Sequence, residues 1–313
     1  MPKIIKKAQM LPILEKIDVI SAMEEGFIAY SNGKAVVPPV GELIVEEHRG
    51  EVHIKYGYIK SDAVYVIKIA SGFYNNPQIG LPSGQGMMLV FNQKTGEPVA
   101  ILLDEGYLTA IRTAAAGALA AKYFAPKKVN AIGIIGTGEQ AKLQLEFLQK
   151  VRPCKKVWVW GRNPDKAEQF KANLYKDFDI QIAQTPAVVA ANSNLIVTTT
   201  PSTTALLDAK DIQLGTHITA MGSDTMHKQE LDAAILQKAD LVISDSLPQS
   251  KSRGEIYQAC KAGLLSESKV IELGTAIQDP KLQRSNDQQI SIVDLTGVAV
   301  QDIKIAKAVY LNS

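Results

Sequence analysis

Gly136-Thr137-Gly138-Glu139-Gln140-Ala141 constrains this chain more than any other segment. Before it, 129–135 is a short apolar run, long enough for a buried strand. After it, a helical pattern over 139–150 carries Ala141, Leu145 and Leu148 on one stripe. A second apolar run at 157–160 ends in Gly161-Arg162-Asn163-Pro164. A GxGxxA turn between a strand and a helix meets the needs of a dinucleotide pyrophosphate. The first Gly makes the tight turn, the second admits close backbone approach, and Ala141 lets helix pack on strand. The helix N-terminus then faces the negative charge. The alternative is a Gly-rich turn with no ligand, but the complete strand–turn–helix–strand setting speaks against it. Gly136, Thr137, Gly138, Glu139 and Gln140 are therefore candidate cofactor-binding residues.

The end of the second strand bears on which cofactor. NAD commonly meets an acid there, which accepts from the ribose hydroxyl, whereas NADP meets a basic group. Here Arg162 and Asn163 follow Gly161, with no acid. A guanidinium can fork onto the extra phosphate, so NADP(H) is favoured over NAD(H). Arg162 can also stack on adenine or be a solvated turn residue. Thr199, Met221 and Gly222, at the ends of later strands, complete the expected cofactor set.

Further strand-like runs at 180–182, 194–199, 217–221, 240–244 and 290–293 alternate with helical stretches, the pattern of parallel βαβ units. The first 106 residues differ. Runs at 51–58, 63–70, 87–92 and 98–103 alternate or carry β-branched residues, and a turn at 93–96 joins the last two. They predict a separate mixed or antiparallel sheet behind a helix at 15–31. An Ala-rich helix over 107–124, stopped by Pro126, connects the two parts. The tail 297–311 predicts a helix that returns to the first part. The fold class is thus α/β, with a Rossmann dinucleotide-binding domain (116–294) set within a mixed α+β domain (1–115 with 295–313).

Composition excludes several classes. Lys+Arg is 34 and Asp+Glu 32, too even for a nucleic-acid partner. Lys3, Lys6 and Lys7 read as a solvated end. No apolar run reaches the 18 residues of a membrane span, and the start lacks a signal-peptide core. Cys154 and Cys260 lie far apart and fit reduced cytoplasmic thiols. The four histidines, His48, His53, His217 and His227, show no metal-ligand spacing.

Three further segments carry a family resemblance. Gly106-Tyr107-Leu108-Thr109-Ala110-Ile111-Arg112-Thr113-Ala114-Ala115-Ala116 is similar to the ornithine cyclodeaminase/mu-crystallin family. So is Ala220-Met221-Gly222-Ser223-Asp224 with Lys228-Gln229-Glu230-Leu231, and so is Val293-Asp294-Leu295-Thr296-Gly297-Val298. The resemblance implies that the Rossmann domain is inserted in a substrate-binding and dimerisation domain, so a homodimer, and that the chemistry is at the α-amino or α-imino carbon of a small amino acid. It implies that Arg112 and Lys68 hold the substrate carboxylate, that Asp224 is the catalytic acid, and that Ser83 stands near the carboxylate. Taken without it, Arg112 reads as a helix-surface residue, Lys68 as an outward strand residue, Asp224 as a cap or turn former and Ser83 as a turn serine.

Two departures matter. Relatives often place another carboxylate-binding Arg after the Pro pair, where Pro38-Pro39 is here followed by Val40. Ornithine cyclodeaminases place a Glu on the strand before Lys68, to hold a distal ammonium. Here that strand reads Glu51-Val52-His53-Ile54-Lys55, and alternation puts Glu51, His53 and Lys55 on one face. If His53 or Lys55 fills the Glu position, a cationic side chain is repelled. Otherwise that face is the solvated one. The expected function is an NAD(P)H-dependent reductase of a small α-imino acid, or an amino-acid dehydrogenase. Ornithine cyclodeamination with catalytic NAD+ is one alternative, and a crystallin-like nucleotide-bound protein without turnover is another.

Overall fold

A computed structural model describes residues 1–313. The chain divides into two compact units, Met1–Thr113 with Val298–Ser313, and Ala114–Gly297. The first division falls within the helix Tyr107–Phe124.

The first unit is built on a seven-stranded sheet. Its strands are β1 (Lys3–Lys6), β2 (Ala35–Val36), β3 (Gly41–Val45), β4 (Gly50–Ile59), β5 (Val64–Phe73), β6 (Gly84–Asn92) and β7 (Pro98–Leu103). Their order is β1-β7-β6-β5-β4-β2, with β3 also on β4. Only β1 pairs in parallel. One face carries Val64, Val66, Met88, Val90, Ala100 and Leu102, all buried. The helices Val19–Ser31 and Ala299–Leu311 pack on each other, and Ala299–Leu311 packs on β4 and β5.

The helix expected at 15–31 runs over Val19–Ser31, and a further helix, Lys7–Leu14, precedes it. Asp18 separates them. Its carboxylate accepts from the Ser21 amide at 3.1 Å and the Ser21 hydroxyl at 2.7 Å, capping the second helix. The lysines of the N-terminus are not buried, but Ile5 is, and this makes 3–6 an edge strand rather than a loose end.

The second unit is an eight-stranded, all-parallel sheet. Its strands are β8 (Ile132–Ile135), β9 (Lys156–Trp160), β10 (Asp179–Ile182), β11 (Leu195–Thr198), β12 (His217–Ala220), β13 (Leu241–Ser244), β14 (Val270–Glu272) and β15 (Ser291–Asp294). The order is β10-β9-β8-β11-β12-β15-β13-β14. Every residue of β8, β11, β12 and β15 is buried, as strands covered on both faces must be. The order turns back between β8 and β11. Ligands of doubly wound sheets bind at such a reversal, outside the carboxyl ends of the strands. No helix is long and apolar enough to cross a membrane.

Candidate active site

The GxGxxA turn follows β8 and enters the helix Glu139–Leu148. Gly136 has φ 121°, and a Cβ there would stand 2.4 Å from Thr199 Oγ1, so only glycine fits. Its amide donates to the Trp160 carbonyl at 2.8 Å, which ties the turn to β9. Gly138 is the helix N-cap, and a Cβ there would meet nothing within 4 Å. That open side is the approach a phosphate needs. Ala141 is fully buried, as close helix–strand packing requires.

A cavity of about 790 Å³ opens from this turn, lined among others by Thr137, Gly138, Arg162, Lys166, Thr199 and Thr200. Arg162 and Lys166 are exposed. Asn163 also lines it, but its side chain caps the helix Pro164–Leu174, accepting from the amides of Asp165 at 2.9 Å and Lys166 at 3.3 Å. Glu139, Gln140, Met221 and Gly222 stand outside the lining. Met221 Sδ accepts from Gln144 Nε2 at 3.0 Å, and the Gly222 amide is held from below by Glu230. The glycine cradle, the free approach at Gly138 and the helix N-terminus together fit a dinucleotide pyrophosphate.

Glu230 has no role in the sequence reading, yet it organises the strand ends beside this cavity. Fully buried, it accepts four hydrogen bonds. Oε1 takes the Thr200 amide at 2.6 Å and hydroxyl at 2.7 Å. Oε2 takes the Thr198 hydroxyl at 2.7 Å and the Gly222 amide at 2.9 Å. Burial pushes its carboxyl up to about 7, against the pull of these donors. Glu255, also buried, accepts from the amides of Glu230 at 2.7 Å and Leu231 at 3.1 Å. Desolvation, with Asp294 and Glu230 nearby, raises the Glu255 carboxyl well above the usual range.

Asp224 lies two residues past Gly222 in an irregular segment. Its carboxylate pairs with Lys228 Nζ at 2.8 Å, and its carbonyl accepts from Arg253 Nη1 at 3.3 Å. It caps no helix.

The first unit holds a buried charge cluster. Lys68 on β5 is 2% exposed, Arg112 on the helix Tyr107–Phe124 is 5%, and Asp302 on the C-terminal helix is 1%. Asp302 joins the other two. Its Oδ2 is 3.3 Å from Lys68 Nζ, and its Oδ1 is 3.0 Å from Arg112 Nε. Arg112 Nη1 donates to Gln301 Oε1 at 3.0 Å. Lys55, directly opposite Lys68 across β4 and β5, adds a third cation. Burial pulls the Lys68 ammonium down to about 7, with Arg112 and Lys55 acting the same way and Asp302 opposing. Burial alone would raise Asp302, but Arg112, Lys68 and Lys55 hold its carboxyl below the ordinary range. Asp104 is the second buried carboxylate here. Its Oδ2 accepts from the Leu108 amide at 2.8 Å, and burial raises it.

The structure therefore brings Lys68, Arg112 and Lys55 together. Ser83 lies exposed on the approach to β6, outside this cluster. The face of His53 and Lys55 is not solvated: they are 8% and 6% exposed, because the C-terminal helix packs on β4. His53 stands between Glu42 Oε1 at 3.5 Å and Glu51 Oε1 at 3.7 Å, and Glu51 also accepts from the Tyr74 hydroxyl at 2.6 Å. Asp302 and Gln301 went unread in the sequence. For Asp302 the signal was spacing: 298, 302, 305 and 309 share a helix face, and Asp302 interrupts its Val298, Ile305 and Val309.

The ornithine cyclodeaminase/mu-crystallin family profile matches residues 4–313. An uncharacterised cyclodeaminase of Sinorhizobium fredii is 41% identical over 302 residues, 95% of this chain and 91% of that protein. A Thermococcus litoralis Δ1-pyrroline-2-carboxylate reductase, solved with NADH and L-proline, superposes with TM-score 0.91 at 29% identity, covering 99% of this chain and 97% of that one. An archaeal alanine dehydrogenase dimer with bound NAD superposes with TM-score 0.90 at 33% identity, covering 99% and 95%. The match spans both units and every segment that carried the resemblance, and the chain belongs to the ornithine cyclodeaminase/mu-crystallin family.

Proposed function

We propose that this chain is a nicotinamide-dependent oxidoreductase that reduces a small α-imino acid, or oxidises the matching amino acid. One observation carries the reading. Lys68, Arg112 and Lys55 are three buried cations set against two buried carboxylates, Asp302 and Asp104. Basic side chains gathered on one buried face favour an anionic ligand. A substrate carboxylate supplies that charge. Arg112 offers it a planar fork, its plane fixed by Asp302 at Nε and Gln301 at Nη1. Lys68 adds a point charge. A bound carboxylate draws the Lys68 ammonium back toward its protonated form, so binding near neutral pH takes up part of a proton.

When bound, a reduced nicotinamide supplies the reducing equivalent at the imine carbon. Gly136, Thr137, Gly138, Arg162 and Thr199 are the residues assigned to hold it. Lys68 and Arg112 orient the substrate by its carboxylate. Asp224 holds the proton exchanged with the substrate nitrogen, a general acid–base role. Lys228 Nζ, 2.8 Å away, holds that carboxyl in place. Arg162 and Lys166, both lining the cavity past β9, favour NADP(H) over NAD(H). Lys55 and His53 on the buried face disfavour a substrate with a distal ammonium.

A second reading, cyclodeamination of a diamino acid, draws on Glu51 and Glu42 beside His53, which put acid on the same part of the sheet. A homodimer is part of the proposal. The uncovered face of the sheet presents the rows Ile54–Ile69–Met87 and Tyr58–Tyr65–Phe91, an apolar surface suited to a second copy.

The test follows absorbance of NADPH and NADH in parallel, with Δ1-pyrroline-2-carboxylate and with pyruvate or oxaloacetate plus ammonium. Oxidation with one imine supports the reductase, and loss of NADPH preference in Arg162→Ala supports the cofactor assignment. No oxidation, but proline and ammonia from ornithine with NAD+, overturns it for cyclodeamination.

A further inference from the structure

The buried carboxylate of Glu230 belongs to none of the steps above. Its four donors come from two different strand ends. Thr198 closes β11, Thr200 follows it, and Gly222 follows β12. The two strands are neighbours, with Thr198 opposite Ala220. Each carboxylate oxygen takes one backbone amide, so the two strand ends share a single clamp. The approach is close: a Cβ on Gly222 would lie 2.1 Å from the Thr200 carbonyl and 2.5 Å from Glu230 Oε2. Glu255 fixes the clamp in turn, through the amides of Glu230 and Leu231.

The two halves of a doubly wound sheet take the two halves of a dinucleotide, across the point where the strand order turns back. β8 and β9 carry the pyrophosphate turn and Arg162. That leaves the ends of β11 and β12 for the nicotinamide half. We propose that Glu230 is a positioning residue for that half: it sets the spacing of Thr200 and Gly222, and through Gly222 the start of the segment that carries Asp224. This rests on the dinucleotide reading of the cavity.

Its carboxylate is needed, not its shape. In Glu230→Gln the amide nitrogen has no lone pair, so one backbone amide, Thr200 or Gly222, loses its acceptor. Thr198→Val is milder. It removes one donor from a buried side chain that does not line the cavity.

The experiment measures dissociation constants for NADPH, NADH and ADP-ribose on wild type, Glu230→Gln and Thr198→Val, with melting temperatures alongside. ADP-ribose lacks the nicotinamide and engages only the other half. The expected result is reduced-nicotinamide affinity weakened about tenfold or more in Glu230→Gln, with ADP-ribose held within about twofold. Thr198→Val shifts the same ratio in the same direction by less. Equal weakening of all three ligands makes Glu230 a merely structural residue and overturns the inference, as does no change in any. If Glu230→Gln does not fold, the ratio in Thr198→Val decides on the same terms. A wild-type chain that binds no nucleotide removes the dinucleotide reading itself, and the inference with it.

Discussion

Asp302→Asn keeps the shape of a buried side chain and removes the charge that holds Lys68 and Arg112. Both contacts are short, at 3.3 Å and 3.0 Å, and all three side chains are nearly inaccessible. Removing one partner of such a pair costs about 3–5 kcal/mol, since the other charges stay buried without compensation. Lys68 has an escape, because burial already lowers it to about 7. Without Asp302 it falls further and sheds its proton, so the loss at pH 6 belongs near 3 kcal/mol, the lower end of that ~3–5 kcal/mol range. Taking roughly 2–4 °C for each kcal/mol, the melting temperature drops by roughly 6–12 °C at pH 6. The sign with pH follows from linkage. Lys68 is lowered from 10.5, so between about 7 and 10.5 the unfolded chain binds more protons than the folded one. Its contribution to wild-type stability therefore improves as pH rises through that window. By pH 9 Lys68 is neutral in both proteins, and Asp302→Asn then loses only the Arg112 contact. The penalty at pH 9 is smaller than at pH 6. Thermal unfolding of both proteins at pH 6, 7.5 and 9 reads this directly. A penalty that stays constant or grows with pH refutes the coupling of Lys68 to Asp302. No penalty at any pH refutes the buried pair.

Three further outcomes follow from the same geometry. Asp224→Asn should lower turnover at least about a hundredfold, as removal of a general acid does, while nucleotide affinity measured by fluorescence stays unchanged. Gly136→Ala places a methyl 2.4 Å from Thr199 Oγ1 on a residue at φ 121°, so NADPH binding should be lost in calorimetry although the carboxylate cluster is untouched. A competitor whose only ionising group is a carboxylate, such as pyrrole-2-carboxylate, should bind more weakly as pH rises above about 7, where Lys68 loses its charge. The limit is about tenfold per pH unit, and Lys68→Arg should flatten that slope.

How much of this was legible in the sequence follows from how far apart the partners lie. The nucleotide cradle was readable because its parts are contiguous: strand, Gly136, Gly138 and helix occupy one stretch, and each glycine has a local reason. β14 was not, since a three-residue strand at a sheet edge has no period of its own. Lys55 shows a different limit. Alternation placed it correctly with Glu51 and His53 on one face, but a period of two does not say which face is buried. Ala299–Leu311 decides that, by packing on β4 from the other end of the chain. Asp302 was readable in principle, because an acid on the same stripe as Val298, Ile305 and Val309 violates the pattern of a buried helix. A buried acid requires compensation, and the unexplained buried-face cations of this unit, Lys68 and Arg112, supply it. Glu230 had no such signal. Its donors, at positions 198, 200 and 222, come from two strand ends that only the sheet order makes neighbours. Chemistry in this fold is thus readable where one loop performs it. Where two strand ends must meet, it is found only by asking what satisfies each buried charge.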